Sequence, residues 1–265
     1  MNKIKIVNDK FIIVEEDSKI EYNYIIKNDE YSVISLKIKV KEDTDLQLDI
    51  NISKSNKFDI FINVLKGVNL KINEYINGSD LKIQYKYYLE EDSNTDIKKI
   101  NNIELLNEND IFNLNGKNAK VKRVLKTISN NKQKYDILVY HNAKETSSDL
   151  INHGVNIKLG ELTFNVSSFV PKDMINCFVN QSNRIVNLTE HNCTINPNMY
   201  IDCFDVTANH SAFIGSFSEE ELFYLQSRGI DLETATKLLI RGFLTSDLSE
   251  DLKNKYNDII DKYWR

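Results

Sequence analysis

The chain has 265 residues, of which 41% are hydrophobic and 28% charged, a composition typical of a globular protein and not of a disordered one. Its net charge of -5 argues against nucleic-acid binding, because phosphate recognition needs a basic surface. No apolar run is long enough to span a membrane, and the first residues lack the apolar core of a signal peptide. We therefore expect a cytoplasmic protein that binds neither nucleic acid nor membrane.

The first two thirds of the chain alternate between apolar and polar residues. Five such segments begin at residues 36, 46, 58, 68 and 81, and this period of two indicates strands with one buried face. Further candidate strands are Ile137–Tyr140, Val155–Leu159 and Leu162–Val166. Short strands at this spacing are typical of a sandwich, a barrel or a β-solenoid, and periodicity alone does not choose among them. Since there are only 8 Gly and 2 Pro, we expect Asn and Asp to form many of the turns.

Near Ser216 the period changes to that of helices. Ser218 and Glu221 form a capping box that predicts a first helix, and Gly229 offers a left-handed end to it. Asp231 predicts the start of a second helix that ends near Gly242, and a third helix follows from about Asp247. The sequence thus predicts a β body over 1–215 and a helical domain over 216–265. We expect the helices to pack on the body, because no flexible linker separates the two parts.

Several catalytic motifs are absent from the sequence. It contains neither a P-loop nor a dinucleotide fingerprint, and no CxxC, HExxH or GxSxG. We therefore predict that the chain is not an enzyme by itself and that any ATP hydrolysis takes place in a partner. The sequence contains an odd number of cysteines, namely Cys177, Cys193 and Cys203, and we recognise no export signal in it. We therefore expect free thiols and no disulfide framework.

Residues 180–243 carry a series of segments that resembles the SufB/SufD family of iron–sulfur cluster assembly scaffolds. The matching segments are Gln181–Arg184 (QSNR), Pro197–Val206 (PNMYIDCFDV), Asn209–Gly215 (NHSAFIG), Leu222–Ile230 (LFYLQSRGI) and Leu238–Phe243 (LLIRGF). The resemblance implies a right-handed parallel β-helix followed by a small three-helix domain. It also implies a dimeric core with a SufB-like subunit or a second copy of this chain, and docking of the ABC-type ATPase SufC.

The resemblance also implies roles for individual residues. Ser182 stands where SufB carries an essential cysteine, whereas the histidine of SufD is present as His210, so the pattern is closer to SufD. A transient iron–sulfur cluster at a subunit interface is implied, with His210, Cys203, Cys193 and His191 as candidate ligands. The implied interface residues are Gln181, Asn183, Arg184 and Asp205. The residues implied to dock the ATPase are Phe223, Tyr224, Arg228, Gly229 and Phe243.

Two other functions stay open. His191 lies two residues before Cys193, so on a strand the two would share a face and could form a metal pair. A protein that binds a metal or cluster directly through its own Cys and His is therefore the first alternative. A β-helix enzyme that acts on carbohydrates is the second, since the 13 Tyr could supply aromatic platforms, although no clustered acid motif supports it.

Overall fold

The computed structural model describes residues 2–7, 10–15, 18–28, 32–53 and 56–263. Within these residues the chain forms a β-solenoid of about seven turns, followed by three helices. The parallel β-helix predicted from the resemblance is thereby confirmed. The division into two domains stays a prediction, and residues 1, 264 and 265, at its outer limits, lie outside the described residues.

The elements follow one another in chain order as strands and then helices. The strands are β1 (Asn2–Val7), β2 (Lys10–Glu15), β3 (Ile20–Asn28), β4 (Ser32–Val40), β5 (Thr44–Ile52), β6 (Asn56–Val64), β7 (Asn69–Leu89), β8 (Asn94–Leu114), β9 (Lys120–Ser129), β10 (Lys132–His141), β11 (Ser147–Asn156), β12 (Glu161–Val170), β13 (Cys177–Asn187), β14 (Cys193–Ile201) and β15 (Val206–Gly215). The helices are α1 (Glu219–Gln226), α2 (Leu232–Thr245) and α3 (Glu250–Tyr263).

The strands build two faces of the solenoid. The first sheet runs in the order β2, β1, β5, β7, β8, β9, β11, β13, β15, and the second in the order β3, β4, β6, β7, β8, β10, β12, β14. The pairs β1–β2 and β3–β4 are antiparallel, and the other described pairs are parallel. Each long strand, β7 and β8, contributes its first half to the first sheet and its second half to the second.

The alternation predicts the buried face correctly over residues 36–89. Its apolar positions are buried there and form the main core between the two sheets. The predicted strands that begin at residues 68 and 81 are, however, parts of the single strand β7. Gly78 lies at the bend, where an added Cβ would be only 2.2 Å from the carbonyl oxygen of Ile52. A glycine therefore lets the strand turn the corner without a loop.

One predicted strand is misplaced. Val155–Leu159 was expected to form a strand, but β11 runs from Ser147 to Asn156 and Leu159 lies in the following turn, 70% exposed. Ile157 follows the end of β11 and is buried. In the sequence this apolar residue therefore extends the alternating pattern past the end of the strand. The candidates Ile137–Tyr140 and Leu162–Val166 lie within β10 and β12 as predicted.

Asn and Asp form several turns, as expected. Asp92 and Asn118 adopt positive φ values of 58° and 59° at equivalent corners of successive coils. The backbone N–H of Asp92 donates to the carbonyl oxygen of Lys117 at 2.9 Å, and that of Asn118 to the carbonyl oxygen of Lys144 at 3.1 Å. Stacked corners of this kind bond each coil to the next one.

The helix termini also follow the sequence. The Ser218 hydroxyl accepts a hydrogen bond from the Glu221 N–H, and the Glu221 carboxylate accepts one from the Ser218 N–H at 3.0 Å. Gly229 has a φ of 82° beyond α1, and the Asp231 side chain caps α2. Helix α2 continues to Thr245, one turn past the predicted end, and α3 begins at Glu250.

The helices pack on the outer face of the first sheet, which confirms that expectation. Their buried side chains share one apolar cluster with outward residues of the sheet, such as Ile100, Ile128 and Val155. The Lys255 ammonium of α3 donates to the Asp49 carboxylate of β5 at 2.9 Å, so the helical segment reaches across several coils. The helices therefore share a core with the body.

Candidate functional site

The last coil of the solenoid is open. Among the described residues, β14 pairs only with β12 and β15 only with β13, so each strand has one edge without a neighbour. Large apolar side chains are exposed around this end. They are Phe178, Tyr200, Phe204, Phe213 and Ile214. Unpaired edges beside exposed apolar side chains are features of a surface that receives another chain.

His210 and Cys193 lie on the facing strands of this open coil. In the parallel register His210 is opposite Gln181, which is buried in the interior, so the His210 side chain is directed inward on β15. Cys193 is opposite the buried Leu162 and is directed inward on β14. His210 is nevertheless exposed, because none of the described strands lies beyond β15 in the first sheet. The structure thus places these two candidate ligands in one coil.

The other two candidate ligands lie elsewhere. The prediction that His191 and Cys193 share a strand face is wrong, because β14 begins at Cys193 and His191 is exposed in the preceding turn. The turn is held by the Asn187 side chain, which donates to the His191 carbonyl oxygen at 3.1 Å. Cys203 packs in a small apolar cluster with Cys177 and neighbouring aliphatic residues, which favours a packing role.

No complete metal site forms within the described part of one chain: no group of three or more His, Cys, Asp or Glu side chains could hold a metal ion there. Burial raises the pKa of the Cys193 thiol, which disfavours the thiolate that a metal or a sulfur atom would need. The described residues therefore supply no complete set of ligands around His210.

The predicted interface residues Gln181 and Asn183 belong to the interior. The Gln181 amide donates to the Ser168 hydroxyl at 2.8 Å and to the Asn198 carbonyl oxygen of β14 at 3.1 Å. The Asn183 amide donates to the Ser211 carbonyl oxygen of β15 at 3.3 Å. Both side chains therefore hold the last two strands on the solenoid from within. Asp205 is exposed before β15, and its carbonyl oxygen accepts from the Asn176 N–H at 2.7 Å.

Arg184 and Phe243, from two distant motifs, meet on the outer face of the first sheet. The Arg184 guanidinium lies 5.1 Å from the centre of the Phe243 ring of α2 and 5.2 Å from that of the Phe213 ring of β15. Phe243 also stacks on His153 at 4.6 Å. The role of Phe243 in docking the ATPase stays a prediction. Its contacts in the structure favour packing of α2 on the sheet.

The α1–α2 hairpin presents the remaining predicted docking residues. Phe223 is 72% exposed and Tyr224 is 56% exposed, with the Arg228 guanidinium 4.6 Å from the Tyr224 ring centre. Gly229 has no heavy atom within 4 Å of the place a Cβ would take. Phe223 and the 54% exposed Leu232 line one groove with Leu222, and Glu219 and Glu220 border the same groove.

Sequence reasoning missed a network of charged side chains inside the middle coils. Lys99 lies 3.3 Å from Glu74 and 2.9 Å from Glu108, and Arg123 lies 2.8 Å from Glu108 and 2.6 Å from Asp110. All five side chains are almost fully buried. Glu108 and Asp110 lie at every second position between Leu106 and Phe112. This spacing indicates that the two acidic side chains point inward with the apolar ones, and it is the sequence signal that could have identified them.

Two cations and three carboxylates share this interior. Burial, and after it the neighbouring Glu108, raise the pKa of Asp110 to about 7. Burial also opposes ionisation of Glu108, but Lys99 and Arg123 lower its pKa below the ordinary value. The network continues towards the open end, because Arg123 donates to Asn152 at 2.7 Å and Asn152 donates to Asn183 at 2.8 Å.

Comparison with known proteins identifies the family to which the chain belongs. The profile of the family described as "SUF system FeS cluster assembly, SufBD core domain" matches residues 4–243. The chain therefore belongs to the SufBD family, whose role is in iron–sulfur cluster assembly.

The relatives include a SufD protein. The chain is 25% identical to the iron–sulfur cluster assembly protein SufD of Bacillus subtilis over 94% of its own length and 54% of the relative's. It is 46% identical to the chloroplastic protein ABCI7 of Arabidopsis thaliana over 23% of this chain and 13% of that protein. It is 50% identical to a SufBD family protein of Pyrococcus horikoshii over 16% of this chain and 9% of that protein. The chain thus spans about half the length of the Bacillus relative.

In the part of the chain that the structure describes, none of the helices is both long and apolar enough to cross a membrane.

Proposed function

We propose that this chain is a SufD-like, non-catalytic scaffold subunit of a SUF-type iron–sulfur cluster assembly complex. Its open coil pairs with a SufB-like subunit or with a second copy of the chain, and its helical surface docks a SufC-like ABC ATPase in the cytoplasm. The observation that carries the proposal is the open end of the solenoid in a chain of the SufBD family, where β14 and β15 each have an edge that no other described strand pairs with.

The open coil supports pairing with another solenoid end. A strand added to β14 or β15 would satisfy backbone groups that now face solvent, and it would cover Phe213 and Ile214, which are 48% and 43% exposed. The inward side chains of β14 and β15 occupy positions that are buried in the preceding coil, on β12 and β13. A second open coil would therefore complete the core as well as the sheet.

The helical surface supports docking of a separate protein. Phe223 and Leu232 are exposed in one groove at the α1–α2 hairpin and Tyr224 is exposed on the same helix as Phe223, whereas other sides of α2 and α3 are buried against the first sheet. Aromatic side chains of this kind often form the centre of a protein interface. Since the sequence has no P-loop, a docked ATPase would supply the nucleotide chemistry.

The cluster is the cargo of such a complex. His210 is the exposed inward histidine of the open coil, and within the described residues it has no companion ligands for a complete site. A neutral imidazole is a good iron ligand, and a soft cluster also needs thiolates. We propose that a partner subunit supplies these thiolates and that His210 faces the cluster across the interface.

Co-expression with an ABC-type ATPase and a cysteine-bearing SufB-like subunit tests the assembly. We expect all proteins to co-elute in size-exclusion chromatography. Phe223→Asp should remove the ATPase alone, and Ser211→Lys, at an outward position of β15, should remove the SufB-like subunit alone, because a lysine on an edge strand opposes strand addition.

The matched control for the edge variant is Ser167→Lys, on β12, which is paired on both sides. This variant should leave the complex intact. Absence of co-elution at micromolar protein, with every protein folded, would overturn the proposal.

Anaerobic reconstitution of the assembled complex tests the role of His210. His210→Ala should lower the visible absorption and the iron content, whereas His191→Ala, in the exposed turn, should not. Direct binding by this chain's own cysteines would be shown instead if the isolated protein bound iron and lost it in Cys193→Ala and Cys203→Ala.

A further inference from the structure

A transverse row of side chains crosses the outer face of the first sheet and ends on its last strand. Lys126 of β9 is opposite His153 of β11, His153 is opposite Arg184 of β13, and Arg184 is opposite Phe213 of β15. Because neighbours in a parallel register point to the same face, these four side chains lie side by side across four strands. The row joins the closed coils to the free edge strand.

Helix α2 contacts this row through Phe243, and Ser246 at the end of the helix adds a further contact. The Phe243 ring stacks on His153 with 4.6 Å between ring centres and an interplanar angle of 17°. The Lys126 ammonium donates to the Phe243 carbonyl oxygen at 3.3 Å, to the Ser246 hydroxyl at 3.1 Å and to Nδ1 of His153 at 2.8 Å. Burial, with Lys126 and Arg184 nearby, lowers the pKa of His153 to about 4, so its Nδ1 is free to accept this bond.

Arg184 is the next side chain in the row and lies between two rings. Its guanidinium carbon is 5.1 Å from the Phe243 ring centre and 5.2 Å from the Phe213 ring centre. Its Nε atom is buried, and within the described residues it has no hydrogen-bond partner. The position of the guanidinium therefore depends on the two aromatic rings. Gly215 leaves room for the Phe213 ring, since an added Cβ would be 2.8 Å from its Cζ.

The geometry points to Arg184 as the positioning residue that fastens the free edge strand β15 to helix α2. Among the strands that the structure describes, β15 pairs with β13 alone, so contacts of its outer face matter more than they do for a strand between two neighbours. Through Phe243 and Phe213, Arg184 keeps the outer face of β15 in register with a helix that is itself anchored on the closed coils. The inference deepens the proposed function and rests on it in one respect, namely that β15 receives a partner strand.

Hydrogen–deuterium exchange on the isolated full chain tests the inference without any partner. We compare the segment 206–215 with the segment 132–141 of β10, which reports on the closed coils. Arg184→Gln and Phe243→Leu should each raise exchange of 206–215 about two- to fivefold, the effect expected for loss of one partly exposed cation–aromatic contact, and leave 132–141 unchanged. Phe243→Tyr keeps the ring and should restore the exchange of the wild type.

Two further variants keep the test decisive. Phe213→Leu removes the outer end of the stack at an exposed position where folding is not at risk, and it should reproduce the Arg184→Gln result. In the double variant Arg184→Gln/Phe243→Leu the exchange should rise no further than in either single variant, because both remove the same contact. The matched control is Phe223→Leu, which lies outside the row and should change nothing in β15.

The inference would be overturned if 206–215 exchanged at the rate of the wild type in these variants, or if 132–141 accelerated equally. Failure of the proposed function would look different: complex formation would be lost or absent while the exchange differences in the isolated chain persisted.

Discussion

The closed middle coils and the open last coil follow the same register but differ in what covers them. One inward position of the first sheet can be followed from coil to coil. The residues at this position are Ile72, Ile97, Arg123, Leu150, Gln181 and His210. The first five are buried, whether apolar or polar, and His210 is exposed.

The comparison shows that burial in this protein is conferred by the next coil and not by the type of residue. An arginine is buried in the middle because coils on both sides supply its partners, while an alanine or a phenylalanine on β15 remains exposed. In the last coil the side chains occupy inward positions like those of the core, but no other described coil covers them. A second solenoid end is the simplest structure that supplies this cover.

Removal of Arg123 would break the closed part most severely. In Arg123→Met, Glu108 and Asp110 lose a cation at 2.8 Å and 2.6 Å and remain buried, so we expect a loss of about 3–5 kcal/mol in the free energy of unfolding or a failure to fold. Urea denaturation followed by circular dichroism measures this loss. The control Lys122→Met, at a half-exposed neighbour on the same strand, should cost less than about 1 kcal/mol.

A loss of similar size in Lys122→Met would contradict the claim that the interior network, and not charge on β9 in general, stabilises the middle coils.

The sequence predicted those parts of the fold that depend on local signals. Alternation located the buried residues from Leu36 to Leu89, and the caps at Ser218 and Asp231 located the helices. The strands β8 and β9 were missed because charged side chains such as Glu108 and Arg123 occupy inward positions and interrupt the apolar pattern. Their burial depends on partners in other coils, which no local signal contains.

The site was predicted in the same partial way. The resemblance drew attention to His210, Arg184 and Phe243, but the contact between Arg184 and Phe243 depends on where α2 lies on the sheet, which the sequence does not specify. The pairing of His191 with Cys193 was wrong because the strand starts at Cys193, and a spacing of two residues places side chains on one face only within a strand.

Substitution of one isoleucine in each region compares the packing of the closed coils with that of the last coil. Ile137 of β10 is fully buried, whereas Ile195 of β14 packs on the same core but is only half-buried. We expect Ile137→Ala to cost about 3 kcal/mol of unfolding free energy and Ile195→Ala about 1 kcal/mol, because the second cavity opens to solvent. Equal losses in urea denaturation would show that the last coil is as well packed as the middle ones.

Acid should weaken the closed coils through His141. Its Nδ1 is 2.8 Å from the Thr146 hydroxyl and its Nε2 is 2.9 Å from the Ser148 hydroxyl, and burial lowers its pKa from 6.5 to about 4. The folded state therefore takes up this proton less readily than the unfolded chain. The stability from His141 is present above pH 6.5 and is lost as the pH falls towards 4, by about 2 kcal/mol between pH 7 and pH 5.

The variant His141→Gln should remove this part of the pH dependence in denaturation curves recorded across the window. The difference between wild type and variant is the informative quantity, because the raised pKa of Asp110 acts in the opposite direction over an overlapping range. His191→Gln, in the exposed turn, serves as the control and should keep the slope of the wild type. An unchanged slope in His141→Gln would mean that the buried imidazole does not resist protonation.

Substitution of two glycines compares the closed coils with the last coil at single positions, and here we expect the smallest effects. An added Cβ at Gly154 of β11 would lie 2.3 Å from Cδ2 of Leu162 and 3.2 Å from Cζ of Phe164, inside the closed core. At Gly215 of β15 it would lie 2.8 Å from Cζ of Phe213, a half-exposed ring that can shift slightly on its solvent side and keep its contact with Arg184. We expect Gly154→Ala to cost about 1–3 kcal/mol of unfolding free energy and Gly215→Ala less than about 0.5 kcal/mol. If Gly215→Ala cost as much as Gly154→Ala in urea denaturation, the Phe213 ring would be held as firmly as a core side chain, and the last coil could not be regarded as open on this face.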